Sequence, residues 1–475
     1  MDRMLRPGQR LPSTRALAAD LGVSRLTVLV AYEQLLHEGY LDGRVGSGTF
    51  VSAALPDDSL RVVPVRPART DRTTRERSRR NASTRNGERA VQSPVPPPRD
   101  EGGVRPFRVS LPALDEFPHT LWARLVARHA HRLSPTHMVY GDPAGLGSLR
   151  AAIATHLRTA RAVRCEAEQV IVVSGSQAAL NLSAAVLLAP GDRVVVEEPG
   201  YPGADAAFNA RGAELVPIDV DPHGVDVGML DTLGAHGVRA AYVTPSHQYP
   251  LGMAMSAARR LALLEWAERC GAWLIEDDYD SEYRYVSRPL GALQGMSVRG
   301  RAIYIGTFSK VLFPALRVGY LVAPPALLDA FLAAREAFDV FTPTLHQLVL
   351  AEFLAEGHFA RHLRRMRSVY LRRREALLDG LARHCAGLLS VHNADAGLHV
   401  ATLLHDRVDD VAVVAALTAR GLTATALSTC YRGDRRRRGL LLGFGGADER
   451  TLGEATRVLG EILESGVSTT PLPRS

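Results

Sequence analysis

Among 475 residues there is a single lysine, Lys310, so 56 of the 57 basic side chains are arginine. A guanidinium stays charged and is a poor nucleophile, whereas a lysine amine can lose its proton and condense with an aldehyde. A lone lysine is either a chance survivor at the surface or a place where an amine has no substitute, and the count alone does not separate the two. The surroundings bear on that choice. Lys310 closes the run Ile303-Tyr-Ile-Gly-Thr-Phe-Ser-Lys310, an apolar strand-like piece ending in hydroxyls at Thr307 and Ser309. Seven residues further on stands Arg317, within Pro314-Ala-Leu-Arg-Val-Gly-Tyr320, a cation suited to a phosphate.

Three other stretches carry complementary chemistry. Ser174-Gly-Ser-Gln177 joins the β-rich run Val170–Val173 to an apolar helical stretch reaching about Leu188. That places the backbone N–H groups of Gly175, Ser176 and Gln177 at a helix N-terminus, a ready phosphate cradle. Ile275-Glu-Asp-Asp-Tyr-Asp280 sets carboxylates directly after a buried-strand pattern. A carboxylate there could pair with a protonated pyridine nitrogen and a phenol with a ring oxygen, although an acidic cap on a following helix reads equally well from these residues alone. Pro199-Gly-Tyr201 offers an aromatic ring that could stack on a flat cofactor. Amine, carboxylate, phosphate arginine and helix N-terminus together describe a pocket for pyridoxal 5′-phosphate.

These groups need a scaffold that brings loop ends together. From Pro106 onward short β-rich runs (Val170–Val173, Val194–Val196, Ala240–Val243, Trp273–Ile275, Ala302–Ile305) alternate with helix-length segments. Such alternation predicts an α/β domain with a mostly parallel, buried sheet, which gathers ligands at the carboxyl ends of its strands. After about residue 325 the chain reads as long Ala/Leu/Arg helices, then a smaller α+β unit ending in Gly439-Leu-Leu-Leu-Gly-Phe444.

The amino-terminal end has another character. The net charge is +7, and residues 1–105 hold 18 Arg against 12 Asp and Glu, so nearly all of it lies there. Such a basic end suits a nucleic acid, or simply a solvated tail. Ser13 reads as the N-cap of a helix with Leu17, Leu21 and Val23 on its apolar side. After Gly22, Ser24 opens a second helix with Val28, Ala31, Leu35 and Leu36. Helix, turn, helix places Ser24, Arg25 and Thr27 where base edges are met, with Ser13 and Arg15 on the helix before. Two short strands around Arg44, Gly46, Ser47 and Gly48 form a wing able to follow a phosphate or a minor groove. Residues 53–105, with 12 Arg and Pro96-Pro97-Pro98, have too little periodic hydrophobicity to fold and read as a disordered tether. Four scattered cysteines, no metal-ligand spacing, no apolar run long enough to span a membrane and no leader predict a cytoplasmic protein with reduced thiols.

The segments Gln9-Arg-Leu-Pro-Ser-Thr-Arg-Ala-Leu-Ala, Gly22-Val-Ser-Arg-Leu-Thr-Val and Gly46-Ser-Gly-Thr-Phe-Val closely resemble the winged helix of GntR-type regulators. Residues 106–475 resemble a fold-type I, aspartate aminotransferase-like domain through Ser174–Gln177, Glu198–Gly203, Thr244–Gly252, Glu276–Arg284 and Gly306–Lys310. Winged helix, linker and aminotransferase-like domain, in that order, are the plan of the MocR subfamily of GntR regulators. The resemblance implies that Lys310 is the Schiff-base lysine, with Asp277 at the pyridine nitrogen, Tyr279 at the ring 3-oxygen and Tyr201 on the ring. Gly175, Ser176, Gln177, Thr307, Ser309 and Arg317 would hold the phosphate, joined by Tyr140 from the partner subunit of a head-to-tail homodimer. It also implies a cis proline at Tyr249-Pro250.

Two departures from the subfamily pattern stand out. Met1–Leu5 cannot supply the helix that GntR readers carry before the Arg6-Pro-Gly segment, and we expect a start codon further upstream. The arginine with which aminotransferases clamp a substrate carboxylate falls at Leu441, neither Arg432 nor Arg438 is in register, and position 203, where an amino-acid sensor could place an arginine, is glycine. The expectation is a double-stranded-DNA-binding regulator whose small-molecule effector is pyridoxal 5′-phosphate or an amino compound reacting with it, as in the pyridoxine-biosynthesis regulators of the subfamily. The competing expectation is a working aminotransferase, a pyridoxal-phosphate enzyme acting on an amino acid, with a vestigial DNA reader.

Overall fold

The structure, a computed structural model, describes residues 9–22, 24–25, 28–29, 32, 41–44, 48–51, 103–232, 237–285, 291–434 and 436–465. The chain divides into two compact units, Met1–Pro96 and Pro97–Ser475. In the first, Ser13 caps the helix Thr14–Leu21, its Oγ accepting from the Ala16 N–H at 3.2 Å, and Gly22 ends it in the left-handed region at φ 64°. Arg25, Val28, Leu29 and Tyr32 are helical. A small core of Ala18, Val28, Tyr32, Leu41 and Val51 holds the unit, and the Tyr32 hydroxyl donates to the Pro12 carbonyl at 2.8 Å. Strands β1 (Leu41–Arg44) and β2 (Gly48–Val51) pair antiparallel as the wing. Leu21, expected on the apolar side, is 62% exposed. The eight-residue helix commits Leu17 and Ala18 to the core, and no described element covers its last turn. Val23, Thr27, Ala31, Leu35, Leu36, Gly46, Ser47 and most of the tether lie outside the described residues.

The larger unit is built on eight strands: β3 (Val170–Val173), β4 (Arg193–Glu198), β5 (Glu214–Asp221), β6 (Gly224–Val225), β7 (Val238–Val243), β8 (Trp273–Asp278), β9 (Ala302–Thr307) and β10 (Gly319–Val322). Their order is β3-β10-β9-β8-β7-β4-β5-β6, parallel from β9 through β5, with β10 antiparallel to both neighbours. Alternate residues enter different cores. Val170 and Val172 pack with the helices Gly147–Arg161, Thr344–Ala355 and His358–His384, while Ile171 and Val173 pack with Ser176–Leu187 and Leu328–Asp339. Both faces are covered, so the strands read as continuous apolar runs. A second sheet, ordered β11 (Leu389–Asn393), β12 (His399–Leu404), β14 (Gly439–Gly443) and β13 (Thr425–Ala426), is antiparallel throughout. The long helix His358–His384 lies against Glu449–Glu464, where a Cβ at Gly380 or Gly460 would overlap Thr456 or the His384 carbonyl.

Candidate cofactor site

The carboxyl ends of β3, β4, β7, β8 and β9 open into one cleft of about 400 Å³. Lys310, Asp277, Tyr279, Tyr201 and Ser176, drawn from four separate stretches of sequence, all line it. Tyr242, Thr244, Tyr249 and Ser110 line it too and were not anticipated as site residues. Tyr242 was detectable in principle, since it occupies the position before the last residue of a buried strand, where the next side chain faces the opposite core.

The pleat sorts the acidic run of β8 by face. Asp277 turns to the cleft, its Oδ2 accepting from the Tyr242 hydroxyl at 2.9 Å while its Oδ1 is buried without a partner. Asp278 turns the other way, to Arg161 at 2.8 Å and the Tyr304 hydroxyl at 2.6 Å. Glu276 accepts from the N–H groups of Leu293 and Gln294, at 2.9 and 2.8 Å, and so caps a short helix. Both meanings of the acidic run are therefore present, on different residues. Burial, reinforced by Asp278, pushes the Asp277 carboxyl up to about 7 against the Tyr242 hydrogen bond and Lys310. Burial pushes the Lys310 amine below the usual lysine value, with Asp280 and Asp277 opposing and Arg317 adding to it. A buried carboxylate with one orphaned oxygen and an amine shifted toward its neutral form are what a protonated pyridine ring bearing an aldehyde requires. The residues fit pyridoxal 5′-phosphate, which supplies an electron-withdrawing ring and a reactive aldehyde when bound.

At the other end of the cleft, Gly175 precedes the helix Ser176–Leu187 at φ 98°. A Cβ there would sit 3.2 Å from the Arg317 guanidinium, whose Nη2 donates to the Ser174 carbonyl at 2.5 Å. Thr307 Oγ1 accepts from the Ser309 N–H at 3.1 Å, and Ser309 Oγ is buried without a partner. The Gln177 amide differs from its neighbours in direction: Nε2 donates to the Gly203 carbonyl at 2.8 Å. Tyr140 stands away from these groups, 83% exposed and edge-on to Phe341.

Tyr201 packs edge-on against Tyr249, with ring centroids 5.4 Å apart. Its ring lies over Gly203, where a Cβ would come 2.6 Å from the Tyr201 oxygen. The glycine at 203 thus makes room for the ring. Tyr249-Pro250 is cis, as is Glu198-Pro199. The Tyr279 oxygen lies 3.0 Å from His247 Nδ1, which also meets Asp280 Oδ1 at 2.9 Å. No local spacing signals this pair, because it joins the loop after β7 to the loop after β8.

Leu441 is fully buried in an apolar cluster with Leu251, Met253 and Leu427. Arg432 is held by Glu198 at 2.8 Å, by Asp205 and by the Glu197 carbonyl at 2.6 Å. Arg438 faces Asp409 at 3.4 Å and Asp410 at 3.9 Å. In the amino-terminal unit Ser13, Arg15, Ser24 and Arg25 are exposed. The backbones of Arg44 and Gly48 are paired across the wing.

Residues 114–438 match the aminotransferase class I and II family, and residues 1–51 match the bacterial regulatory proteins of the gntR family. The probable rhizopine catabolism regulatory protein MocR of Rhizobium meliloti is 40% identical over 99% of this chain and 92% of its own length. The HTH-type pyridoxine biosynthesis transcriptional regulator PdxR of Corynebacterium glutamicum is 37% identical over 97% of this chain and 92% of its own. Among solved structures, the α-aminoadipate aminotransferase LysN of Thermus thermophilus, complexed with N-(5′-phosphopyridoxyl)-L-leucine, superposes with a TM-score of 0.70 at 28% identity, covering 76% of this chain and 92% of that one. A gntR-type reader ahead of a fold-type I domain defines a class of transcription regulator that binds DNA and pyridoxal 5′-phosphate. The chain belongs to the MocR-like subfamily of GntR regulators.

Proposed function

We propose that this regulator senses pyridoxal 5′-phosphate itself rather than an amino acid, and that occupancy of the cleft changes how the amino-terminal units engage promoter DNA. The observation that carries the reading is the buried, apolar setting of Leu441. A bidentate arginine in its place would contribute charge-assisted bonds of about 1.5–3 kcal/mol each to an α-carboxylate. Arg432 and Arg438 are engaged with acids of their own, and Arg317, at the cleft's other end, is the arginine assigned to the phosphate. In this reading an amino acid finds an aldehyde but no arginine at position 441 to clamp its carboxylate.

In this reading Lys310 bonds the cofactor, Asp277 holds the pyridine nitrogen, Tyr279 meets the ring 3-oxygen and Tyr201 covers the ring face. Gly175, Ser176, Gln177, Thr307, Ser309 and Arg317 cradle the phosphate, Gln177 through its N–H because its amide is committed to Gly203. The exposure of Tyr140 suits a residue that serves the partner's site in a head-to-tail homodimer. Residues 1–52 read DNA through Ser13, Arg15, Ser24, Arg25 and Thr27 with the wing at Arg44 and Gly46–Gly48, 53–105 tether them, and 106–475 sense the effector. Regulation of this kind belongs in the cytoplasm, where promoter and cofactor meet; no described helix is long and apolar enough to cross a membrane. A ligand shifts such an equilibrium only by its differential affinity for the two arrangements. The test is anisotropy titration against promoter DNA selected by the purified protein from a random library, with and without saturating cofactor. Equal affinities would refute the sensor, and sustained turnover of an amino acid with a keto acid would establish an enzyme instead.

A further inference from the structure

The buried cluster beneath Tyr279 has a bonding pattern that the reading above leaves unused. His247 comes from the loop after β7, Asp280 from the loop after β8 and His399 from the start of β12. All three are buried, and a ring nitrogen of each histidine and an oxygen of Asp280 lie within 4.8 Å of one another. His399 Nε2 is 3.1 Å from the Pro250 carbonyl, which can only accept, so this nitrogen carries the proton. Gly397, at φ 74°, and Gly252, at φ 84°, leave the space in which the His247 ring stands; a Cβ at Gly252 would come 3.2 Å from its Nε2.

His247 Nδ1 faces three oxygens at once, both of Asp280 at 2.9 and 3.2 Å and Tyr279 Oη at 3.0 Å. A carboxylate only accepts, so Nδ1 bears a hydrogen whether the imidazole is neutral or cationic. A protonated Nδ1 has no lone pair and cannot accept from the phenol. The Tyr279 oxygen therefore shares the same N–H with the Asp280 carboxylate, and its own hydrogen is left free. No second hydrogen bond engages that hydroxyl among the described residues, and Tyr279 lines the cleft. We propose that His247 and Asp280 are positioning residues that commit the Tyr279 hydroxyl as a hydrogen-bond donor into the cleft.

The proposal rests on the reading that Tyr279 meets the ring 3-oxygen of pyridoxal 5′-phosphate. When the lysine–cofactor linkage loses its proton, that oxygen keeps its negative charge and loses its internal partner. A donor held against it favours the deprotonated form and lowers the pH midpoint of the visible absorbance change. The other titratable groups facing the phenol are Asp277 on its own strand end, Glu197 of β4 and Tyr249 of the β7 loop. The His399 ring is tilted against His247 at 5.1 Å between centroids, and Lys310 lines the same cleft as Tyr279.

The experiment is a pH titration of that absorbance on the full chain loaded with pyridoxal 5′-phosphate, with thermal melts and cofactor stoichiometry alongside. Tyr279→Phe removes the donor and raises the midpoint by about one unit or more. Asp280→Asn lets His247 turn over its tautomer and accept from the phenol, which withdraws the donor and also raises the midpoint. Simple loss of the Asp280 charge beside Lys310 would lower it, so the sign separates positioning from electrostatics. His247→Phe removes the relay without changing the carboxylates and raises the midpoint too, which keeps the idea testable if Asp280→Asn fails to fold. Neither substitution adds a further rise on top of Tyr279→Phe. A rise in Tyr279→Phe with none in Asp280→Asn or His247→Phe overturns the positioning role and leaves the Tyr279 reading standing. No rise in Tyr279→Phe overturns both.

Discussion

Replacing Gly203 with alanine tests how the cleft is shaped. The new Cβ would lie 2.6 Å from the Tyr201 oxygen and closer still to the ring carbons beside it. An unstrained contact is about 3.5 Å or more, so ring or backbone must move by about 1 Å. The backbone is poorly placed to give, because the Gly203 carbonyl is held by the Gln177 amide at 2.8 Å and the residue lies inside the helix Pro202–Asn209. Tyr249 blocks one side of the ring at 5.4 Å between centroids, which leaves the cleft as the direction of escape. Overpacking of this size costs about 1–3 kcal/mol. Because the displaced ring swings into the space a bound ring would use, the cost falls on cofactor binding: roughly 5- to 150-fold in Kd, from tenfold per 1.4 kcal/mol. Absorbance titration of apo protein with pyridoxal 5′-phosphate measures it, and the apo melting temperature should change little. A Kd within about twofold of the parent would refute the argument that Tyr201 is seated by the missing side chain.

Other outcomes follow from the same geometry. Burial pushes Asp277 and Glu197 up to about 7, so the native state holds protons that the unfolded chain releases, and these groups make the apo protein less stable as pH rises from about 4 to about 7. Urea midpoints across that range measure the slope, and Asp277→Asn should flatten part of it while weakening cofactor binding. In the helix Glu449–Glu464 two glycines should behave oppositely, because a Cβ at Gly453 meets nothing within 4 Å whereas one at Gly460 overlaps the His384 carbonyl. Gly453→Ala should stabilise by up to about 1 kcal/mol and Gly460→Ala should destabilise by about 1–3 kcal/mol, read as shifts in melting temperature. Leu441→Arg should not create an amino-acid response; it puts an unpaired charge among Leu251, Met253 and Leu427, costs several kcal/mol, and should appear as lost soluble yield.

Local chemistry carries far in this sequence where a residue's role is set by its own strand. The runs Val170–Val173 and Ala302–Ile305 lie in strands, Ser13 and Gly22 bound the helix between them, and Lys310, Asp277 and Tyr201 meet in one cleft because parallel strands deliver their ends to the same edge. What was not legible depends on partners distant along the chain. The direction of the Gln177 amide is decided by the Gly203 carbonyl and the meaning of Gly203 by Tyr201. The pairing of His247 with Asp280 joins two loops 33 residues apart. Leu21 was placed on the apolar side by its spacing, yet spacing says nothing of whether an element exists to cover a helix's final turn.

The solitary lysine has a practical corollary. With 56 arginines and one lysine, the chain carries a single side-chain amine. Reagents that modify lysines therefore report on one address apart from the amino terminus, and hydride trapping of the bound cofactor yields one mass-labelled residue per chain. On the proposed role of Lys310, the fraction of it shielded from acylation would gauge how much of the regulator is loaded inside a living cell, obtained without fluorescent fusions or engineered tags.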